Sequence, residues 1–148
     1  MGEASVDVSA PSDLEEFAPA AVRTGRAVLA FLGEQDVELS VALVDDARMQ
    51  QLNQQFRGKD RTTDVLAFSQ RDGEALGETA LLGDVVISIP TARRQAQERG
   101  HSVTVEVREL LVHGILHLLG YDHEISEAEA ERMFTRQREV LAALRLLE

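Results

Sequence analysis

The chain has 148 residues, 44% of them apolar and 28% charged, which is the balance of one soluble globular domain spanning residues 1–148. It contains no cysteine, and this excludes disulfides, thiolate metal sites and cysteine nucleophiles. The formal net charge of −11 argues against a protein whose whole surface binds nucleic acid, although residues 57–101 hold 7 of the 15 cationic side chains.

Hydrophobic periodicity and capping residues predict two strands and two helices in the N-terminal part of the chain. In chain order they are a strand at residues 4–8, a helix from residue 12 or 13 to about 32, a strand at residues 38–43, and a helix from residue 45 or 46 to about 56. Gly33 is expected to end the first helix, because glycine adopts the left-handed conformation found just past helix ends. A loop around Gly58 and Asp60 follows the second helix.

The C-terminal part is predicted to hold two strands and three helices. In chain order they are a strand at residues 65–68, an exposed loop or hairpin tip at residues 70–80, a strand at residues 84–89, and helices at residues 91–99, from 102 or 104 to 119, and from 126 onward. The run VVISI is typical of a strand covered on both faces. Ser126 and Glu129 form a capping box for the last helix. That helix is expected to bury Met133, Phe134, Val140, Leu141 and Leu144. About five helices and four strands therefore form one sheet with helices packed against it.

No stretch of the sequence predicts a membrane span. Apolar runs such as residues 27–32 are far shorter than the roughly 20 residues that a spanning helix needs. Residues 1–17 contain neither the basic segment nor the apolar segment of a secretory signal. We therefore expect a cytoplasmic protein with no membrane partner.

Three of the four histidines lie in the segment His113-Gly-Ile-Leu-His117-Leu-Leu-Gly120-Tyr-Asp-His123. Residues i and i+4 share one face of a helix, so His113 and His117 can direct two imidazoles at one ion. Gly120 is placed to end the helix, and the chain can then turn and bring His123 back as a third ligand. Three protein ligands leave a fourth position open for water, as in catalytic zinc sites, unless another side chain closes it. The pattern predicts a metal-dependent hydrolase.

The same spacing overlaps the metzincin motif H-E-x-x-H-x-x-G-x-x-H, in which the glutamate is the general base for peptide hydrolysis. Gly114 stands at the position of that glutamate. A peptide or amide hydrolase that uses the same ion is an alternative, but it would need a base from elsewhere in the chain.

The segment HGILHLLGYDH closely resembles the signature of the YbeY family, bacterial single-strand-specific endoribonucleases of ribosomal RNA maturation. Two further segments carry the resemblance. LNQQFRGK at residues 52–59 and TDVLAF at residues 63–68 are similar to the family's LN-x-x-[FY]-R-x-K and TDVLSF, and LGDVVIS at residues 82–88 is similar to its LGDIVIS strand. Order and spacing agree over about residues 40–125, with Ala67 and Ser69 in place of the common serine and proline.

The resemblance implies an α+β fold in which a mixed sheet of roughly four strands is packed with about five helices. It implies one Zn²⁺ per chain, held by His113, His117 and His123, with Arg57 as the catalytic arginine. Nickel or another divalent metal would suit the same ligands. The implied substrate is single-stranded RNA, notably the 3′ end of small-subunit ribosomal RNA, with a role in ribosome quality control and ribosome-associated assembly proteins as further partners.

Arg57 belongs to Arg57-Gly-Lys59-Asp-Arg61, the densest cationic stretch of the chain. A guanidinium can hold two phosphate oxygens and offset the charge that develops in the transition state. An exposed turn of solvated charges would explain the same stretch.

Two further points remain open at the level of sequence. Asp122, Glu124 or Glu109 could accept a hydrogen bond from the free ring nitrogen of a ligand histidine. A non-catalytic ribosome-assembly factor, in which a structural metal clamps the helix to the loop after it, is the other alternative to an endoribonuclease.

Overall fold

The computed structural model describes residues 2–70 and 80–145. Its strands are β1 (Ser5–Ser9), β2 (Val37–Val44), β3 (Val65–Ser69) and β4 (Ala80–Ser88). Its helices are α1 (Ala18–Phe31), α2 (Asp46–Arg57), α3 (Ile89–Arg99), α4 (Val103–Leu118) and α5 (Glu127–Arg145), with a 3₁₀ helix (Ser12–Phe17) before α1. The loop predicted at residues 70–80 lies almost wholly outside the described residues. None of the described helices is both long and apolar enough to cross a membrane.

The four strands form one mixed sheet in the order β1-β2-β4-β3. The β1–β2 and β2–β4 pairs are parallel, whereas β3 runs antiparallel to β4 at the edge of the sheet. The predicted α+β fold with a mixed four-stranded sheet and five helices is thereby confirmed.

Strand β4 is covered on both faces, as its continuous apolar run predicted. Val85 and Ile87 belong to the main core beneath α1 and α4, while Val86 faces a smaller cluster that includes Met49 of α2. Burying each such aliphatic side chain contributes about 1.5–3 kcal/mol. The sheet therefore has α4 on one face and α2 on the other, and both helices end near the edge strand β3.

Two predictions for the helices were wrong in detail. The first predicted helix is divided before Ala18, because Pro19 is tolerated only in a helix's first turn and its ring would clash with the carbonyl four residues earlier. In α5, Phe134 was expected to be buried but is 43% exposed. Met133, Val140 and Leu144 follow the i, i+7, i+11 spacing of one buried face, and Phe134 lies about 100° away from it.

The Asp46 carboxylate joins four parts of the fold. It accepts hydrogen bonds from the hydroxyls of Ser88 (2.6 Å), Thr91 (2.7 Å) and Thr62 (3.3 Å), and it pairs with the Arg94 guanidinium at 3.0 Å. Partial burial raises the pKa of Asp46, but the hydrogen bonds from Ser88, Thr91 and Arg94 together bring it below its ordinary value. The start of α2 is thus fixed to the end of β4 and the start of α3.

We expect Asp46→Asn to lower the free energy of unfolding by about 1–3 kcal/mol at neutral pH, because the hydroxyls and Arg94 lose a charged acceptor. The folded-state pKa is below the unfolded one, so this contribution is present above the ordinary carboxyl pKa and is lost as the pH falls through the folded value. Denaturant unfolding at about pH 7 and about pH 3 measures the difference. Asp7→Asn, at an exposed position of β1, is the control. An Asp46→Asn deficit that stays constant with pH would contradict the assignment.

Candidate metal centre

Helix α4 is held rigidly against the sheet. Nine of its residues are buried, and Ser102 caps it by accepting a hydrogen bond from the Val105 N–H at 3.2 Å. At Gly114 the helix approaches β4 so closely that an added Cβ would lie 2.7 Å from Cγ1 of Val85. The helix presents His113 and His117 from two successive turns beside this contact.

The contact also bears on the metzincin alternative. Position 114 faces Val85 and Val65 of the sheet, so no side chain larger than glycine fits there without displacing them. Steric overlap with the sheet therefore excludes the glutamate base of that motif from position 114.

The chain turns back after α4 and carries His123 to the other two histidines. Gly120 has a φ of +100°, and the N–H of Tyr121 donates to the Leu116 carbonyl at 3.1 Å, which closes the end of the helix. The ring centroids of His113, His117 and His123 lie 4.9–5.3 Å apart. One ring nitrogen from each falls within 4.8 Å of the others. The structure therefore brings the three predicted ligands together.

The chemistry of this group fits a divalent metal ion. Burial lowers the pKa of both His113 and His117 below that of a free imidazole, and the neighbouring imidazoles lower them further. The neutral imidazole is the form that coordinates metals. In addition, Nδ1 of His123 is buried and has no hydrogen-bond partner among residues 2–70 and 80–145, which is unusual for a buried polar atom. The three residues could bind one metal ion.

Gln137 of α5 supports His113 from behind. Its Oε1 lies 3.1 Å from Nδ1 of His113. A carbonyl oxygen only accepts, so this contact favours the tautomer with the proton on Nδ1, in which the lone pair of Nε2 is available for an ion. Sequence reasoning missed Gln137, although it lies between Met133 and Val140 as a polar residue on the buried face of α5.

In the described part of the chain, no hydrogen bond joins Glu109, Asp122 or Glu124 to one of the three histidines. Glu109 lies 3.8 Å from Arg99 and 3.7 Å from His101, away from the three histidines. The Asp122 carboxylate accepts a hydrogen bond from the Glu124 N–H at 2.8 Å. Both Asp122 and Glu124 line the cavity in front of the histidines and make it locally acidic.

A cavity of about 460 Å³ opens in front of the three histidines. Its walls are formed by α4, by the edge strand β3 at residues 65–67, and by Arg57 at the end of α2. This volume lies in the range of small-ligand sites. A larger cavity of about 600 Å³ between α1 and the N-terminal residues contains no histidine, so the chemistry favours the smaller one.

Arg57 is the last residue of α2, and its position depends on the loop that follows. Gly58 adopts a left-handed conformation with a φ of +69°. The side chain of the buried Asn53 donates from Nδ2 to the backbone carbonyl of Arg61 at 2.9 Å, and the backbone carbonyl of Asn53 accepts from the N–H of Lys59 at 3.3 Å. Arg57 is exposed and lines the cavity, whereas Lys59 and Arg61 are exposed outside it.

Asp64 also lines the cavity, but its carboxylate is already engaged. It accepts from the N–H of Val65 at 2.8 Å, from the Thr63 hydroxyl at 3.5 Å and from Nε2 of Gln95 at 3.3 Å. These contacts assign Asp64 to the shape of the loop that leads into β3.

We expect Gln137→Leu to weaken zinc binding by about 10- to 100-fold, because His113 loses the acceptor that fixes its tautomer. Gln137→Glu keeps an acceptor and should retain the affinity. Competition with a chromophoric chelator measures both, and Gln97→Leu on the exposed face of α3 is the matched control. Equal zinc affinity in Gln137→Leu and Gln97→Leu would show that the contact does not orient a ligand.

Comparison with known proteins places the chain in a family. The family model described as Endoribonuclease YbeY matches residues 7–145. The chain is 48% identical over 118 residues to the Endoribonuclease YbeY of Persephonella marina, covering 80% of this chain and 77% of the relative. It is 50% identical over 116 residues to that of Aquifex aeolicus, covering 78% and 76%. The solution structure of TM1509 from Thermotoga maritima superposes with a TM-score of 0.66 and 28% identity, covering 93% of this chain and 87% of that one. The chain therefore belongs to the Endoribonuclease YbeY family.

Proposed function

We propose that this protein is a metal-dependent endoribonuclease that cleaves single-stranded RNA during ribosomal RNA processing. The observation that carries the proposal is one cavity lined by three convergent imidazoles and by Arg57, in a chain whose relatives are named endoribonucleases. The specific substrate proposed is the 3′ end of small-subunit ribosomal RNA, together with a part in ribosome quality control. Residues 1–148 would act as one domain in the cytoplasm, on the small ribosomal subunit and beside its assembly proteins.

The proposed cofactor is one Zn²⁺ per chain, held by His113, His117 and His123. Three neutral nitrogen donors suit zinc, and nickel or another divalent ion can use the same set. When bound, the ion would supply Lewis-acid polarisation of a phosphoryl oxygen and a source of nucleophilic water at neutral pH. The contact with Gln137 favours the His113 tautomer with the proton on Nδ1, so Nε2 is the nitrogen that would coordinate the ion.

Arg57 is proposed as the catalytic arginine. Arg57 lines the cavity at the end of α2, and none of the ion pairs found among the described residues involves it. A guanidinium can donate two parallel hydrogen bonds to a phosphate group and stabilise the negative charge that grows during cleavage. The negative charge of Asp122 and Glu124, which also line the cavity, would repel a phosphate and favour its position at Arg57.

Two other functions would use the same centre. A peptide or amide hydrolase is disfavoured because Gly114 has no room for the glutamate base. An assembly factor with a purely structural metal is disfavoured because the histidines open onto a cavity that a phosphodiester can enter.

The metal assignment predicts that purified protein holds about one divalent ion per chain and that His117→Ala loses most of it. Elemental analysis after dialysis measures the metal content. His101→Ala, which changes the one histidine outside the group, should keep the ion.

The metal-loaded parent should cut unstructured RNA and leave casein intact. Stoichiometric metal in a triple variant that replaces all three predicted ligands with alanine would refute the site. Cleavage of casein alone would favour the peptide hydrolase, and a loaded protein that binds small subunits but cuts neither would favour the assembly factor.

For Arg57→Ala we expect RNA cleavage to fall by about 10²–10³-fold while metal content stays unchanged, because charge stabilisation is lost but no ligand is. Arg57→Lys should recover only part of the rate, since an ammonium cannot form the two-pronged contact. Arg48→Ala on the exposed face of the same helix is the control. A parental cleavage rate in Arg57→Ala would remove the residue from the mechanism.

A further inference from the structure

Phe56 is the most exposed aromatic ring in the described part of the chain. It is 58% exposed, against 44% for Phe31 and 43% for Phe134. The other two rings have charged or polar partners, since the Arg136 guanidinium lies over Phe31 at 5.3 Å and Phe134 lies 6.0 Å from the His123 ring. Phe56 instead packs against another phenylalanine, Phe68, with ring centroids 5.2 Å apart and a tilt of 56°.

The position of Phe56 at the edge of the sheet explains this exposure. Met49, Leu52 and Asn53 place the buried stripe of α2 over the sheet, and Phe56 is its last member. At that point the helix has reached β3, the edge strand, and no strand in the described residues lies beyond it to cover the ring. Phe68 therefore supports Phe56 while more than half of Phe56 remains available to a flat apolar partner.

The surroundings of the ring favour a nucleic acid as that partner. Three cations follow Phe56 within five residues, Arg57, Lys59 and Arg61, and all are exposed on a chain whose net charge is −11. Such a local group of cations complements a polyanion. Proteins that bind single-stranded RNA combine cations along the backbone with aromatic rings on which bases stack.

The candidate metal centre lies along the same edge. Residues 65–67 of β3 line the cavity of the three histidines, and Phe68 is the next residue of that strand. Leu66 and Phe68 are about 7 Å apart along the strand. Arg57, which lines the cavity, is bonded directly to Phe56 in the chain. Phe68 packs on the α2 face of the sheet, whereas the histidines lie on the α4 face. An RNA strand whose phosphate is held by Arg57 would therefore pass round the edge strand β3 to bring a neighbouring base to the Phe56 ring.

We propose that the Phe56 ring, supported by Phe68, is a stacking platform for one nucleobase of the single-stranded RNA that enters the cavity. This inference rests on the proposed endoribonuclease function. In the segment LNQQFR, Phe56 would then contact a base of the substrate, and Arg57 would contact a phosphate.

The chain has no tryptophan, which allows a direct test of stacking. In Phe56→Trp the introduced indole is the only one, and we expect binding of an unstructured RNA oligonucleotide to quench its fluorescence. Phe31→Trp places a single indole on α1, outside the residues that line the cavity, and should not be quenched. Failure of the RNA to quench Phe56→Trp more than Phe31→Trp would overturn the proposal without any measurement of cleavage.

Binding measurements supply an independent test. Phe56→Leu keeps an apolar cover over Phe68 but removes the π-face, so RNA affinity should fall by about 5- to 100-fold. Phe31→Leu should bind RNA like the parent. A set of oligonucleotides, each with one abasic position, tests which base stacks on the ring. At one position the missing base should lower the RNA affinity of the parent by a similar factor and leave the RNA affinity of Phe56→Leu unchanged.

The outcomes separate this inference from the function on which it rests. A parent protein that neither binds nor cuts RNA would refute the proposed function and the platform with it. Cleavage by the parent with equal RNA affinity in Phe56→Leu and Phe31→Leu would refute the platform alone. If Phe56→Leu did not fold, the quenching of Phe56→Trp against Phe31→Trp would still decide the matter.

Discussion

The close contact between α4 and the sheet at Gly114 is the constraint on which the candidate centre depends. Only glycine lets the helix approach Val85 at this turn, because a Cβ would overlap the valine side chain. His113 precedes this contact and His117 follows it by one turn, so the packing sets the position of both imidazoles above the edge of the sheet. The packing of α4 on the sheet therefore explains why glycine stands at position 114, where the metzincin motif has glutamate.

The remaining parts of the centre come from segments that the core does not fix directly. His123 follows a turn that the Tyr121 N–H closes on the Leu116 carbonyl, and Arg57 precedes a loop that Asn53 holds at both ends. Asp46 connects the other end of α2 to β4 and α3. Individual hydrogen bonds thus fix the positions of Arg57 and His123, whereas hydrophobic packing fixes the positions of His113 and His117.

The acidic charge of the chain is compatible with an RNA substrate because the charges are not evenly distributed. Two arginines of α3 are engaged by carboxylates, Arg93 by Glu16 at 3.8 Å and Arg94 by Asp46 at 3.0 Å. The three cations at residues 57–61 are exposed; Arg57 lines the cavity, and Lys59 and Arg61 lie outside it on the loop that follows. Attraction of a polyanion would then act at this edge of the sheet, against the net negative charge of the chain as a whole.

The sequence by itself determined the element types, a single sheet packed with helices, and the two histidines on one helical face, because helical periodicity, capping and glycine turns act over a few residues. Family resemblance supplied the α+β class with its mixed sheet, and Arg57. Only the tertiary structure decided that Gln137, 24 residues from His113 along the chain, meets its ring, and that the antiparallel strand β3 forms the edge where Arg57 and Phe56 lie. It also decided that Phe134 lies beside His123 instead of in the core. These contacts join residues that are distant in sequence, and they exist only once helices and sheet have packed.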